Sequence, residues 1–133
     1  MSNLLDISSG SGISFDDVLL VPSLSCIRSR LSSDISTSVA GIAMNVPIVS
    51  SPMDTVTEYK MASDIGSLGG LGIIHRFCTP EAQIINLRRV ARQSSSPVIP
   101  AIGVGDSEVD RFKKIMESIE PYSIDAVAID IAN

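Results

Sequence analysis

The chain has 133 residues, of which 44% are hydrophobic and 19% charged, and a net charge of -5, the composition of one ordinary globular domain. Scattered Lys and Arg on an acidic chain exclude nucleic acid as a partner, because phosphate binding needs clustered positive charge. No apolar run approaches the ~20 residues that span a bilayer, so a membrane is excluded as well.

The N-terminal MSNLLDISSGSG has no basic start and no long apolar core, so it is not a secretion signal. Its Ser and Gly content predicts a flexible arm over residues 1–13. Cys26 and Cys78 form neither a metal-ligand spacing nor a CxxC. Two free thiols without a signal read as cytoplasmic. The mean hydropathy of +0.32 is high for a small domain, which has much surface to cover with polar groups. It predicts that something outside these residues covers part of the surface.

FDDVLLVPS, a polar stretch and then SVAGIAMNV predict a pair of strands ahead of a regular pattern. NVPIVSS is a short apolar, β-branched strand. TEYKMASDIGSL predicts a helix with Met61, Ile65 and Leu68 on one face, Thr57 capping its start and Gly69–Gly70 ending it. LGIIH is the next strand. Thr79-Pro80-Glu81 opens a second helix with a cap, a proline and a first-turn acid, and Ile84, Leu87 and Ala91 face inward. Arg88, Arg89 and Arg92 on this helix read as a solvated face. After QSSSP comes the strand VIPAIGVG, then a helix capped by Asp106 or Ser107 with Val109, Phe112, Met116 and Ile119 on one side. Pro121 stops it, and AVAIDIA is a fourth strand.

The strands begin near residues 46, 71, 98 and 126. Strictly alternating β and α with continuously apolar strands means a parallel sheet covered by helices. An open doubly wound sheet and part of an eight-fold βα barrel both fit. A complete barrel takes ~250 residues, so this chain holds only about half of one.

In parallel α/β folds, ligands bind at the C-terminal ends of the strands. VSSPMDTVTE lies at such an end. It offers the Ser51 hydroxyl, the polarizable Met53 surface for a flat heterocycle and the Asp54 carboxylate. The bland alternative is a loop and a cap. His75 ends the second strand and reads as structural. Arg76 beside it either meets an anion such as a phosphate or makes a surface ion pair. Cys78 reads as a small buried residue rather than a nucleophile, and GVGDSE as a tight strand-to-helix turn. Asp130 and Asn133 bracket the end of the fourth strand. Asp130 there either accepts from ribose hydroxyls or caps a following helix.

FDDVLLVPS, IVSSPMDTVTE and GGLGIIHRFCTPEAQ, in that order and spacing, resemble the inosine monophosphate dehydrogenase / guanosine monophosphate reductase family. The resemblance runs from about Ser14 to Asn133 and selects the barrel. It implies a (βα)8 TIM barrel, with about four βα units present in residues 14–133 after an N-terminal β-hairpin and no CBS insert. It further implies a purine nucleotide (GMP or IMP) and NADPH or NAD at the C-terminal face. A monovalent cation and a homotetramer are implied for the complete enzyme.

By the same resemblance, Ser51 and Met53 match nucleotide-contacting positions. Ser29 and Arg30, in CIRSRLSSD, match a pair that approaches the dinucleotide in reductases. Arg76 stands where many reductases have a cofactor-contacting lysine. Asp130, Ile131 and Ala132 match a cofactor-contacting segment.

Cys78 does not match the family's attacking cysteine, which lies on a Gly/Ser-rich loop absent from these residues. The chain alone is therefore expected to be inactive, a fragment of the enzyme. SSPMDTVTE leans toward dehydrogenases. The missing insert and IRSR, HRF and DIAN lean toward the reductase, which the balance favours. A dehydrogenase lacking CBS domains and a catalytically inactive, truncated nucleotide-binding protein are the alternatives.

Overall fold

The computed structural model describes residues 14–93 and 95–132. The arm expected over residues 1–13 lies outside them, as does Asn133. The chain divides into two compact units, Met1–Ser33 and Asp34–Asn133.

In the first unit the described residues form two single-turn 3-10 segments, Phe15–Asp17 and Arg30–Ser32. Each is started by a serine hydroxyl. Ser14 Oγ accepts from Asp16 N–H at 3.2 Å, and Ser29 Oγ accepts from Leu31 N–H at 3.2 Å. FDDVLLVPS therefore contributes no strand.

Both strands of the expected hairpin lie at SVAGIAMNV, with Thr37 just before it, in the second unit. β1 (Thr37–Val39) pairs antiparallel with β2 (Ile42–Met44). Ala40 and Gly41 connect them with φ of 51° and 79°, the left-handed pair that a two-residue hairpin turn demands.

Four parallel strands follow: β3 (Val49–Ser50), β4 (Leu71–Ile74), β5 (Ile99–Ile102) and β6 (Ala128–Ile129), in the order β3-β4-β5-β6. Helices α1 (Tyr59–Ser67), α2 (Pro80–Gln93) and α3 (Asp106–Ile119) connect them. β4 pairs with β3 through Leu71 and Gly72, and with β5 through Ile73 and Ile74. β5 likewise uses Ile99 and Pro100 toward β4 and Ala101 and Ile102 toward β6. This constant slip tilts barrel strands. The chain is a parallel half-barrel.

The helix-facing side of the sheet packs Ile74 and Val98 against Ala62, Ile84, Leu87, Val90, Ile115 and Ile119. The opposite side packs Leu71 and Ile99 against Met44 of the hairpin, with Ile42, Ile73 and Ala126 around them. The hairpin thus covers the end of the inner face where the strands begin.

The helix faces differ from the expected ones in two places. On α1, Met61 is 43% and Leu68 72% exposed, and Ala62 is the buried residue. The helix lies so close to β4 that only the smallest side chain fits between them. On α3, Val109 and Met116 are exposed, and Ile115 and Ile119 are buried. The expected caps also differ. Glu58 and Gly105 occupy the N-cap positions, and neither makes a side-chain cap bond. On α2, the Thr79 hydroxyl accepts from Ala82 N–H at 3.3 Å, as expected. Arg88, Arg89 and Arg92 are exposed. Arg88 bonds the Ser118 carbonyl, and Arg89 lies 4.8 Å over the Tyr59 ring.

Candidate functional site at the C-terminal ends of the strands

Side chains alternate along a strand. Val49, Leu71, Ile73, Ile99, Ala126 and Ala128 line the inner groove. One residue beyond the strands stand Ser51, His75, Gly103 and Asp130. The half-barrel mouth is built from these and the loops that follow them.

The loop after β3 is held from within. Thr57 Oγ1 lies 2.5 Å from the Ser51 carbonyl oxygen and 2.9 Å from Ser50 Oγ. With one proton, it donates to the carbonyl and accepts from Ser50. Thr57 is fully buried, so the residue expected to cap α1 instead folds the loop. Met53 N–H donates to the Ser51 carbonyl at 2.8 Å, and the Met53 carbonyl accepts from Val56 and Thr57 N–H. The result is a tight turn that leaves the Ser51 hydroxyl and the Met53 side chain exposed. Tyr59 N–H, at the start of α1, donates to Asn86 Oδ1.

Arg76 leaves the end of β4 and reaches two strands across the mouth. Its Nε donates to the Asp130 carbonyl oxygen at 3.1 Å and lies 3.5 Å from the Asp130 carboxylate. The guanidinium also sits 5.1 Å from the Phe77 ring centroid. The crossing passes close over Gly103. A Cβ there would stand 3.2 Å from Arg76 Nη1 and 3.0 Å from Glu108 Cγ. Among the described residues the Arg76 Nη groups donate to no other residue, and both Arg76 and Asp130 remain half-buried.

Behind this pair runs a second polar chain. Glu108 accepts from Gly103 N–H at 2.7 Å and pairs with Arg111 at 3.3 Å. Arg111 donates to the Cys78 carbonyl and to Gln83 Oε1, and Gln83 donates to the Ala101 carbonyl at 2.7 Å. This chain ties α2 and α3 to the ends of β4 and β5. The Gly103 amide, then the Arg111 and Arg76 cations, hold the Glu108 carboxyl below its ordinary range. A depressed folded-state pKa stabilises the fold above the unfolded value, and that contribution is lost as pH falls through the folded value. Glu108→Gln is expected to flatten the acid limb of stability against pH. Urea melts between neutral and strongly acid pH check this, and an unchanged limb would refute it.

Burial pushes the Cys78 thiol up, against the pull of Arg111. His75 is 3% exposed with both ring nitrogens unpartnered among the described residues, 3.9 Å from Glu58 and stacked on Phe77. GVGDSE is a strand-to-helix turn with Gly105 at φ 96°. No group of three or more His, Cys, Asp or Glu residues able to hold a metal occurs among the described residues.

The structure places Ser51 and Met53 on the first loop and joins Arg76 directly to Asp130, followed by Ile131 and Ala132. Ser29 and Arg30 lie in the first unit, at the start of its second 3-10 turn. Sequence reasoning missed Gly103, Glu108 and Arg111. A glycine at a strand end beside an acid five residues on was the available signal.

A parallel βα half-barrel with polar side chains at the C-terminal ends of its strands defines the class: a βα-barrel protein. The profile of the IMP dehydrogenase / GMP reductase domain matches residues 12–133, so the chain belongs to that family. It is 40% identical over 115 residues to an inosine-5'-monophosphate dehydrogenase of Methanocaldococcus jannaschii, covering 86% of this chain and 23% of that protein. It is 46% identical over 85 residues to a GMP reductase of Leishmania donovani, covering 63% of this chain and 17% of that one. The crystal structure of the Legionella pneumophila inosine 5' monophosphate dehydrogenase superposes with a TM-score of 0.76 at 31% identity, over 92% of this chain and 36% of that one. The chain thus spans about a quarter or less of these two curated relatives and about a third of the solved enzyme. Family members are oxidoreductases.

Proposed function

We propose that these residues supply the dinucleotide side, and part of the purine side, of a GMP reductase-like site. In the complete enzyme, NADPH gives a hydride to the purine C2 of GMP, ammonia leaves, and IMP is formed. The Arg76–Asp130 pair across the mouth carries this reading. A guanidinium with unused Nη donors fits a phosphate, and a carboxylate beside it fits a ribose hydroxyl. NADPH has one phosphate more than NADH, and a cation here favours it. Ser29, Arg30, Ile131 and Ala132 are further cofactor contacts in this reading, and Ser51 and Met53 hold the nucleotide. The complete enzyme is a cytoplasmic homotetramer that takes a monovalent cation.

In this reading the attacking thiolate belongs to a loop of the complete enzyme and not to Cys78, whose thiol burial pushes up. The chain alone binds without turnover. A dehydrogenase converting IMP with NAD to XMP is the second reading, supported by SSPMDTVTE and by the dehydrogenase names among its relatives.

The test is ligand-observed NMR on the 133-residue chain with NADPH and NADH, beside Arg76→Ala. Loss of the guanidinium is expected to weaken NADPH about tenfold, the worth of one charge-assisted contact, and NADH much less. Equal binding of the two cofactors, unaffected by Arg76→Ala, would remove the reductase reading. GMP-dependent loss of NADPH absorbance by the chain alone would show that the thiolate is present after all.

A further inference from the structure

His75, Arg76 and Phe77 follow one another just past β4. His75 is buried, whereas Phe77 is 56% exposed. Their rings lie 14° from parallel with centroids 6.5 Å apart, within the range of aromatic pairs. The Arg76 guanidinium carbon stands 5.1 Å from the Phe77 ring centroid, inside the reach of a cation–π contact. From there Arg76 Nε donates to the Asp130 carbonyl at 3.1 Å. A buried ring thus backs a second ring, that ring meets a cation, and the cation spans to the end of β6.

Arginine is a long side chain, and ordering it costs rotamer entropy. A site in which that cost is already met binds an anion more tightly. The Nε bond alone anchors one edge of the guanidinium. The Phe77 ring adds a second hold, and His75 fixes the ring because it is itself buried. We propose that Phe77 is a positioning residue, whose ring holds the Arg76 guanidinium ready for a phosphate-bearing dinucleotide. Phe77 acts through Arg76 and not on the ligand. The choice of ligand rests on the reductase reading above, whereas the hold on Arg76 rests on these contacts alone.

Phe77→Leu keeps an apolar side chain and removes the ring. The side chain is more than half exposed, so the fold is expected to survive, as circular dichroism checks. The first measurement needs no cofactor. NMR relaxation of the Arg76 Nε–H group is expected to show it rigid in the parent chain and in Phe77→Tyr, and mobile in Phe77→Leu. Equal mobility in all three would overturn the proposal. The second measurement is binding of NADPH and NADH by ligand-observed NMR. Phe77→Leu is expected to weaken NADPH about two- to fivefold, the worth of an exposed cation–π contact, and to leave NADH unchanged. Phe77→Tyr is expected to bind as the parent does. In an Arg76→Ala background Phe77→Leu is expected to add nothing. A further loss there would overturn the proposal, because the ring would be acting on the ligand or the fold. So would an unchanged NADPH affinity in Phe77→Leu beside a weakened Arg76→Ala, and that result would leave the reductase reading standing. An Arg76→Ala chain that binds NADPH as the parent does would remove the reading itself, and the relaxation measurement would then decide the role of Phe77.

Discussion

Gly72→Ala is expected to lower the urea unfolding midpoint of this chain. A Cβ at Gly72 would stand 2.4 Å from Ala62 Cα and 2.7 Å from Ala62 Cβ, inside any contact that packed carbons tolerate. Neither atom is the far end of a flexible side chain. One is backbone and the other a methyl with no rotamer to escape into. Relief requires α1 to move away from β4, and α1 also shapes the loop that presents Ser51 and Met53. Overpacking a tight core costs about 1–3 kcal/mol and sometimes more. Small domains hold only about 5–15 kcal/mol in total, so a loss of that size is read directly in the unfolding midpoint. Urea melts followed by circular dichroism check this. A Gly72→Ala protein with an unshifted midpoint would mean that α1 and β4 are not packed as described.

Gln83→Leu is expected to destabilise the chain by about 1–3 kcal/mol, the penalty of leaving a buried polar group unpaired. Gln83 is fully buried. Its amide donates to the Ala101 carbonyl, and its oxygen accepts from Arg111. Leucine fills the same space but leaves that carbonyl without its donor and Arg111 short of an acceptor. Gln83→Glu separates the two losses. It keeps an acceptor for Arg111 and removes the donor to Ala101, setting a carboxylate oxygen against a carbonyl oxygen. It is expected to be at least as damaging as Gln83→Leu. If it is harmless, the Arg111 contact alone matters and the bond to β5 does not.

These residues also mark where sequence reasoning fell short. Gln83 sits in an amphipathic helix whose apolar positions, Ile84 and Leu87, were legible from their spacing. A glutamine beside them reads as solvated, since nothing local says that a sheet carbonyl and an arginine from the next helix await it. Thr57 reads as a cap because Thr before a helix commonly is one. The structure turns its hydroxyl back to Ser51 instead. Met61 and Leu68 of the expected stripe gave way to Ala62 because the helix-to-sheet distance, set by Gly72, decides which face can approach. Arg76 and Asp130 are 54 positions apart, and no periodicity connects them.

The sequence by itself determined the alternation of strand and helix, the parallel sheet and the family, because apolar period and motif order are local and sum over many residues. It also placed Ser51, Arg76 and Asp130 at strand ends, where parallel sheets bind ligands. Only the tertiary structure decided that Arg76 crosses Gly103 to hold Asp130, that Glu108 and Arg111 brace that crossing, and that Thr57 folds the first loop. Those contacts depend on strand slip and helix-to-sheet distance, which are properties of the packed sheet and not of any short stretch of chain.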